Sequence, residues 1–301
     1  MRFRADLVEA AAKDGCNSHQ YDRAQRRAHI LKAVGADPTD AVRPTASSDL
    51  AATVDALRGT YRRQLAAIMA QDAVAADPCE LQPRISRALS DLADAALEGA
   101  LAIARAQTPG AERIRFAVIG MGKLGAQELN YISDVDLIYA VEPADETLGA
   151  QELVRIGTKT GVMLQRVCQS VIMGVSEPAL WQIDGGLRPE GKDGPLVRTI
   201  ASHRSYYEQW AESWEFQALL KARPVAGDPE LGEAYMDMTR PFVWSASKRD
   251  GFVHDCRRMR RRVEDLIPAP LKDREIKLGK GGLRVAEKFI LKTLAYFQTH
   301  F

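Results

Sequence analysis

The chain has 301 residues, with 41 Lys and Arg against 40 Asp and Glu and a formal net charge of +1. That length suits about two domains, and so even a charge argues against a general nucleic-acid binder, which carries a strong basic excess. Cys16, Cys79, Cys168 and Cys256 stand far apart, no apolar run reaches the roughly 18–20 residues of a membrane span, and the charged start "MRFRADLVEAAAKDG" lacks an apolar core segment. The expectation is therefore a cytoplasmic protein with reduced thiols, no zinc site, no signal peptide, no membrane and no nucleic-acid partner.

Residues 1–108 read as a helical region. Leu50, Val54, Leu57, Tyr61, Leu65 and Ile68 recur at three- and four-residue steps, as do Ile85, Leu89, Leu92, Ala96 and Ile103. The stretch "GADPTDAVRPTASSD" between them has loop composition, and Thr108-Pro109-Gly110 marks a boundary. "RIRFAVIG" and "VDLIYAVE" then read as strands, with a helix over roughly 145–169 behind them. "ALWQIDGGLRPEGKDGPLVRTIAS" reads as strand, glycine-rich turn and strand. From Ser202 the pattern is helical again, through "HRSYYEQWAESWEFQALLKAR" and "DGFVHDCRRMRRRVEDLI". This gives an α+β chain: a helical region (1–108), a central domain with one small sheet (109–225) and a second helical region (226–301). No repeat of solenoid period interrupts it.

Between the first two strands lies Gly120-Met121-Gly122-Lys123-Leu124-Gly125, which fits G-x-G-x-x-G. A Rossmann unit places such a loop after a strand, with an acidic residue beyond it, and Glu142 occupies that place. The intervening segment makes a poor helix, however, and a Rossmann fold has no use for the two aspartates of Asp134-Val135-Asp136. Two residues apart on a strand, these side chains share a face. Paired carboxylates repel unless a divalent cation lies between them, as nucleotidyl transfer requires. The glycine turn then lets backbone N–H groups approach phosphates, and Lys123 adds positive charge. Asp184 is the candidate third carboxylate, followed by Arg188 and Lys192, both suited to phosphate. Taken alone, the aspartate pair also fits surface charges at a strand entrance, and Asp184-Gly185 fits a hairpin turn. The arginine run from Arg257 to Arg262 reads as a solvated helix face. Tyr206, Tyr207, Trp210, Trp214 and Phe216 read as helix core rather than a stacking platform. Lys221 and Arg223 are weaker candidates for reaching phosphate.

The stretch "GMGKLGAQELNYISDVDLI" resembles the signature of the bifunctional glutamine synthetase adenylyltransferase/adenylyl-removing enzymes, G-M-G-K-L-G-G-x-E-L-N-x-S-S-D-[IV]-D-L-[IV]. "RRAHILKAVGADP" and "LRPEGKDGPLVRTIASHRSYYEQWAESWEFQALLKARPVAGD" are similar to the same family, so that the likeness runs over residues 22–284. The resemblance implies a nucleotidyltransferase (polymerase-beta-like) palm with a small mixed sheet. It implies Mg2+ or Mn2+ on Asp134, Asp136 and Asp184, and nucleotide or phosphate at Gly120, Gly122, Lys123, Gly125, Ser133, Arg188 and Lys192. Family members carry two palms in tandem; one removes AMP from a tyrosine of glutamine synthetase by phosphorolysis, giving ADP, and the other attaches AMP from ATP. This chain holds one palm and resembles the N-terminal, adenylyl-removing half, apparently truncated. Adenylylation is the alternative activity, and an inert module that binds glutamine synthetase or a PII-type signalling protein is another. A Rossmann oxidoreductase, which demands a parallel sheet, is the third. Ala126 and Ile132 depart from the signature without removing a ligand. The acidic residue the family places after Gly282-Leu283-Arg284 is missing.

Overall fold

The computed structural model describes residues 21–248, 251–272, 274–276, 278 and 279. The N-terminal segment read for a signal peptide, Cys16 and Gly282–Arg284 lie outside the described residues. The chain divides into two compact units, one comprising the described residues up to Ile200 together with Ala222–Tyr235, the other Ala201–Lys221 and the described residues from Met236 onward.

Three helices open the first unit: α1 (Arg23–Ala33), α2 (Leu50–Ala73) and α3 (Pro78–Gln107). Each starts where an aspartate can satisfy free N–H groups of the first turn. Asp22 accepts from Gln25, Asp49 from Ala52, and Asp77 from Cys79 and Glu80. Helix α3 is the axis of this layer, buried without interruption from Leu92 to Arg105. Its alanines allow neighbours close on every side. At Gly99 a Cβ would lie 2.5 Å from Ile30 Cγ2 and 2.9 Å from Leu57 Cδ1, so the three helices meet where one residue has no side chain.

The sheet follows. Strand β1 (Ile114–Gly120) leads through a single helical turn, α4 (Gly122–Gly125), and a loop into β2 (Val135–Pro143). Helix α5 (Ala150–Gln169) precedes the two-residue strands β3 (Ile183–Asp184) and β4 (Val197–Arg198), and β5 (Arg223–Gly227) completes the set. Strand β1 pairs antiparallel with both β2 and β5, whereas β3 and β4 pair parallel with β2, in the order β3-β2-β1-β5. The sheet is thus small and mixed, as expected. The antiparallel β1–β2 pair excludes a Rossmann unit, whose first two strands run parallel through a crossover helix. Ile114, Phe116 and Val118 of β1 join Leu137, Tyr139 and Val141 of β2 in one core with the three helices and α5. Arg58, fully buried, finishes α5 by donating to the carbonyls of Val167, Ser170 and Glu177.

Strand β5 interrupts the helical pattern expected from Ser202 onward. Pro224 and Gly227 obscure a five-residue strand, yet proline is tolerated on an edge, where its missing N–H leaves no ladder bond unmade. In the second unit, α6 (Ile200–Gln209) is largely contained, with α7 (Ser213–Leu219) and α9 (Phe252–Asp265); α8 (Pro229–Ser245) contributes its later turns. Tyr207, Phe216 and Phe242 form its aromatic core, with ring centroids 6.1–6.3 Å apart. Trp210 departs from that cluster and is 73% exposed. Arg257, Arg258, Arg260, Arg261 and Arg262 face solvent, two of them in i,i+3 and i,i+4 ion pairs. No helix among the described residues is long and apolar enough to cross a membrane.

Candidate active site

The glycine turn and the aspartates meet because β1 and β2 are antiparallel. Gly120 pairs with Leu137, so the exit of β1 lies beside the entrance of β2, and Met121 N–H donates to the Asp136 carbonyl at 2.9 Å. Gly122 has φ +52, and a Cβ built there would overlap Oδ2 of Asp136. The turn is therefore glycine for two reasons, its left-handed backbone and its direct contact with a carboxylate. Gly125 N–H closes the turn onto Met121 O at 2.9 Å. Ala126, where the family signature has glycine, sits at φ −77, ψ −3, a conformation alanine adopts freely.

Asp184 arrives by parallel pairing. Val135 registers with Ile183 and Asp136 with Asp184, so two of the three candidate carboxylates are borne by adjacent strand residues. Because β3 and β4 both run parallel to β2, Asp184-Gly185 is not the hairpin turn that the sequence left open. Instead Gly186 N–H donates to Asp184 Oδ1 at 2.8 Å, an Asx turn that bends the chain locally as it leaves β3. Asp134 lies one residue before β2 rather than within it and is exposed; Asp136 and Asp184 are half-buried. Among the described residues, no three acidic, histidine or cysteine side chains gather into a ready-made metal cluster. The donor chemistry nevertheless fits a hard divalent cation, since three carboxylates at neighbouring positions offer only oxygen ligands.

The remaining candidates divide. Lys123 is exposed on the turn, and Ser133 donates to Asn130 Oδ1 at 2.6 Å in the loop before Asp134. Lys192 is exposed. Arg188 is committed to its own loop: its guanidinium donates to the carbonyls of Gly185 at 2.7 Å, Lys192 at 3.0 Å and Gly194 at 3.2 Å. Arg223, read from sequence as reaching phosphate, is committed elsewhere. It forms a two-pronged pair with Asp94 of α3, at 2.5 and 3.1 Å, and donates to the carbonyls of Leu124 and Gly125 at 3.1 and 3.2 Å.

Asp94 and Glu98 went unnoticed in the sequence. Asp94 also meets Arg23 at 3.0 Å; Glu98 accepts from Gly227 N–H at 2.8 Å and pairs with Arg105 at 3.5 Å. Burial pushes the Asp94 carboxyl up to about 6, against the opposing pull of Arg223. A signal was present, because acids four residues apart in the alanine-rich, buried stretch of a helix need basic partners. Cys168, buried, has its thiol pushed up to about 12 by desolvation, which keeps it protonated and unreactive.

An acidic strand entrance, a glycine turn in contact with it and a helical layer behind a small mixed sheet define an α+β domain built around carboxylates. The chain belongs to the glutamate-ammonia ligase adenylyltransferase family, whose profile matches residues 8–238. It is 74% identical over 287 residues to the bifunctional glutamine synthetase adenylyltransferase/adenylyl-removing enzyme of Bifidobacterium longum, covering 95% of this chain and 27% of that protein. The proteins of the same description in Cutibacterium acnes and Streptomyces coelicolor are 51% and 49% identical, each over 77% of this chain and 23% of the relative. The chain thus spans about a quarter of the length of the curated relatives it matches.

Proposed function

We propose that this chain is a nucleotidyl-transfer unit that removes AMP from adenylylated glutamine synthetase by phosphorolysis. The observation that carries the reading is the register of Asp136 with Asp184 beside a glycine turn that touches Asp136. The names of the relatives supply the substrate protein. In the reaction, an oxygen of inorganic phosphate attacks the phosphorus of the AMP–tyrosine phosphodiester. The bond from phosphorus to the tyrosine oxygen breaks, the tyrosine takes up a proton, and ADP is the product.

Asp134, Asp136 and Asp184 would hold magnesium or manganese, which when bound neutralises charge on the transferring phosphoryl group. Gly122 lets backbone come close to the reacting phosphate, with no side chain between. Lys123 offers its ammonium to the incoming anion from the exposed side of the turn. Arg188 contributes by shaping the loop that follows Asp184, and Ser133 by ordering the approach to Asp134.

The test is incubation with adenylylated glutamine synthetase, magnesium and phosphate, followed by an assay for ADP. ADP formation that requires magnesium and is lost in Asp134→Asn is expected. Full metal-dependent release by Asp134→Asn would falsify the assignment. Transfer of AMP from ATP onto unmodified glutamine synthetase, with no release, would reassign the direction. Binding of glutamine synthetase or a PII-type protein with neither reaction would leave a docking module.

A further inference from the structure

The glycine turn has only four helical residues, too few to hold its own shape. Its C-terminal carbonyls point back into the protein, where the guanidinium of Arg223 receives them: Nε donates to Gly125 O at 3.2 Å and an Nη to Leu124 O at 3.1 Å. The two Nη atoms of the same guanidinium grip both carboxylate oxygens of Asp94, whose side chain is 2% exposed. Asp94 is anchored in turn on the most enclosed stretch of α3 and held by Arg23 from α1. A chain of contacts therefore runs from the helical layer through Asp94 and Arg223 to the turn, and ends where Gly122 meets Asp136.

We propose that Arg223 is a positioning residue, held by Asp94, that fixes the Gly122–Gly125 turn against Asp136. Its role in catalysis rests on the reading of the aspartates as the reacting centre; its role in holding the turn does not. The fork is the reason for arginine. Lysine would keep the charge, but its three N–H donors radiate from a single nitrogen, so it would not span a carboxylate and two carbonyls as the planar guanidinium does.

The molecule contains a matched control. Arg115, near the start of β1, makes a two-pronged pair with Asp228 at 2.6 and 2.9 Å, and joins β1 to the segment after β5. It lies at the far end of the strand from the glycine turn. The experiment compares Arg223→Lys, Asp94→Asn and Arg115→Lys in the full chain by ADP formation, thermal midpoint and amide hydrogen exchange over residues 121–128. Arg223→Lys and Asp94→Asn are expected to lower kcat about tenfold or more and to speed exchange of the Gly125 and Ala126 amides. Arg115→Lys should keep kcat within about twofold and leave those amides protected, at a comparable drop in thermal midpoint. The proposal is overturned if exchange in the turn is unchanged in Arg223→Lys, or if Arg115→Lys loses kcat and turn protection to the same degree. If the unsubstituted chain forms no ADP, the functional reading fails, and the exchange comparison alone decides the positioning role.

Discussion

One segment touches Asp136 and another follows its register partner Asp184, and they are held in opposite ways. The Gly185–Gly194 loop is held from within, by Arg188 donating to three carbonyls of its own segment. The glycine turn is held from outside, by Arg223 of β5, 98 residues beyond Gly125, and by Asp94 of α3, 129 residues before Arg223. A loop bonded mainly to itself, with Glu190 tied to Arg198 just beyond it, depends on no distant part of the chain for its shape. A turn tied to a buried ion pair depends on the helical layer behind the sheet, so residues before β1 take part in shaping the site.

The largest effect expected from this contrast comes from Gly122→Ala. The new Cβ would overlap the Asp136 carboxylate at a left-handed backbone position, and ADP formation should fall at least about a hundredfold, the scale of an ångström-sized misplacement. Arg188→Ala should come next, with a loss of about tenfold. Faster amide exchange should be confined to residues 185–194, leaving 121–128 as protected as before; spread into the glycine turn would show that the two loops are not independently held.

The pH dependence of Asp94 sharpens the comparison further. Its carboxyl is raised from the ordinary value to about 6 by burial. The native state therefore binds this proton more tightly than the unfolded chain. The stabilising contribution of this proton binding is fully present below the unfolded value near 4 and is lost as pH rises through about 6. Relative to Asp94→Asn, which does not titrate, the unsubstituted chain should lose thermal midpoint between about pH 4 and pH 6.5. A flat difference across that window would show that Asp94 does not titrate there. The smallest effect belongs to Ala126→Gly, which restores the family residue. Because Ala126 is unstrained, stability should drop by about 0.5–1 kcal/mol in urea unfolding while activity stays within about twofold.

Much of the candidate site's arrangement was legible in the sequence because its elements are local. The strand-like runs around Gly120 and Leu137, the glycine turn and the Asp134–Asp136 spacing lie within one short stretch. The presence of Asp184 was legible as a third acid, but its register with Asp136 was not, since β3 and β4 are two residues each and carry no period. Strand β5 was hidden by Pro224 and Gly227. Arg188 and Arg223 both read as phosphate ligands because a sequence shows their charge and not their partners. Long-range pairings such as Arg223 with Asp94 leave no trace in local pattern, apart from the anomaly of acids in a buried alanine-rich helix.

The central claim, that Asp136 and its register neighbour Asp184 form one metal-dependent centre, is most directly tested by ADP formation from adenylylated glutamine synthetase under magnesium titration. The comparison is the unsubstituted chain against Asp184→Asn. The account predicts magnesium-dependent ADP formation in the first and its loss, at least about a hundredfold, in the second. An Asp184→Asn chain with an unchanged magnesium dependence and an unchanged rate would contradict it.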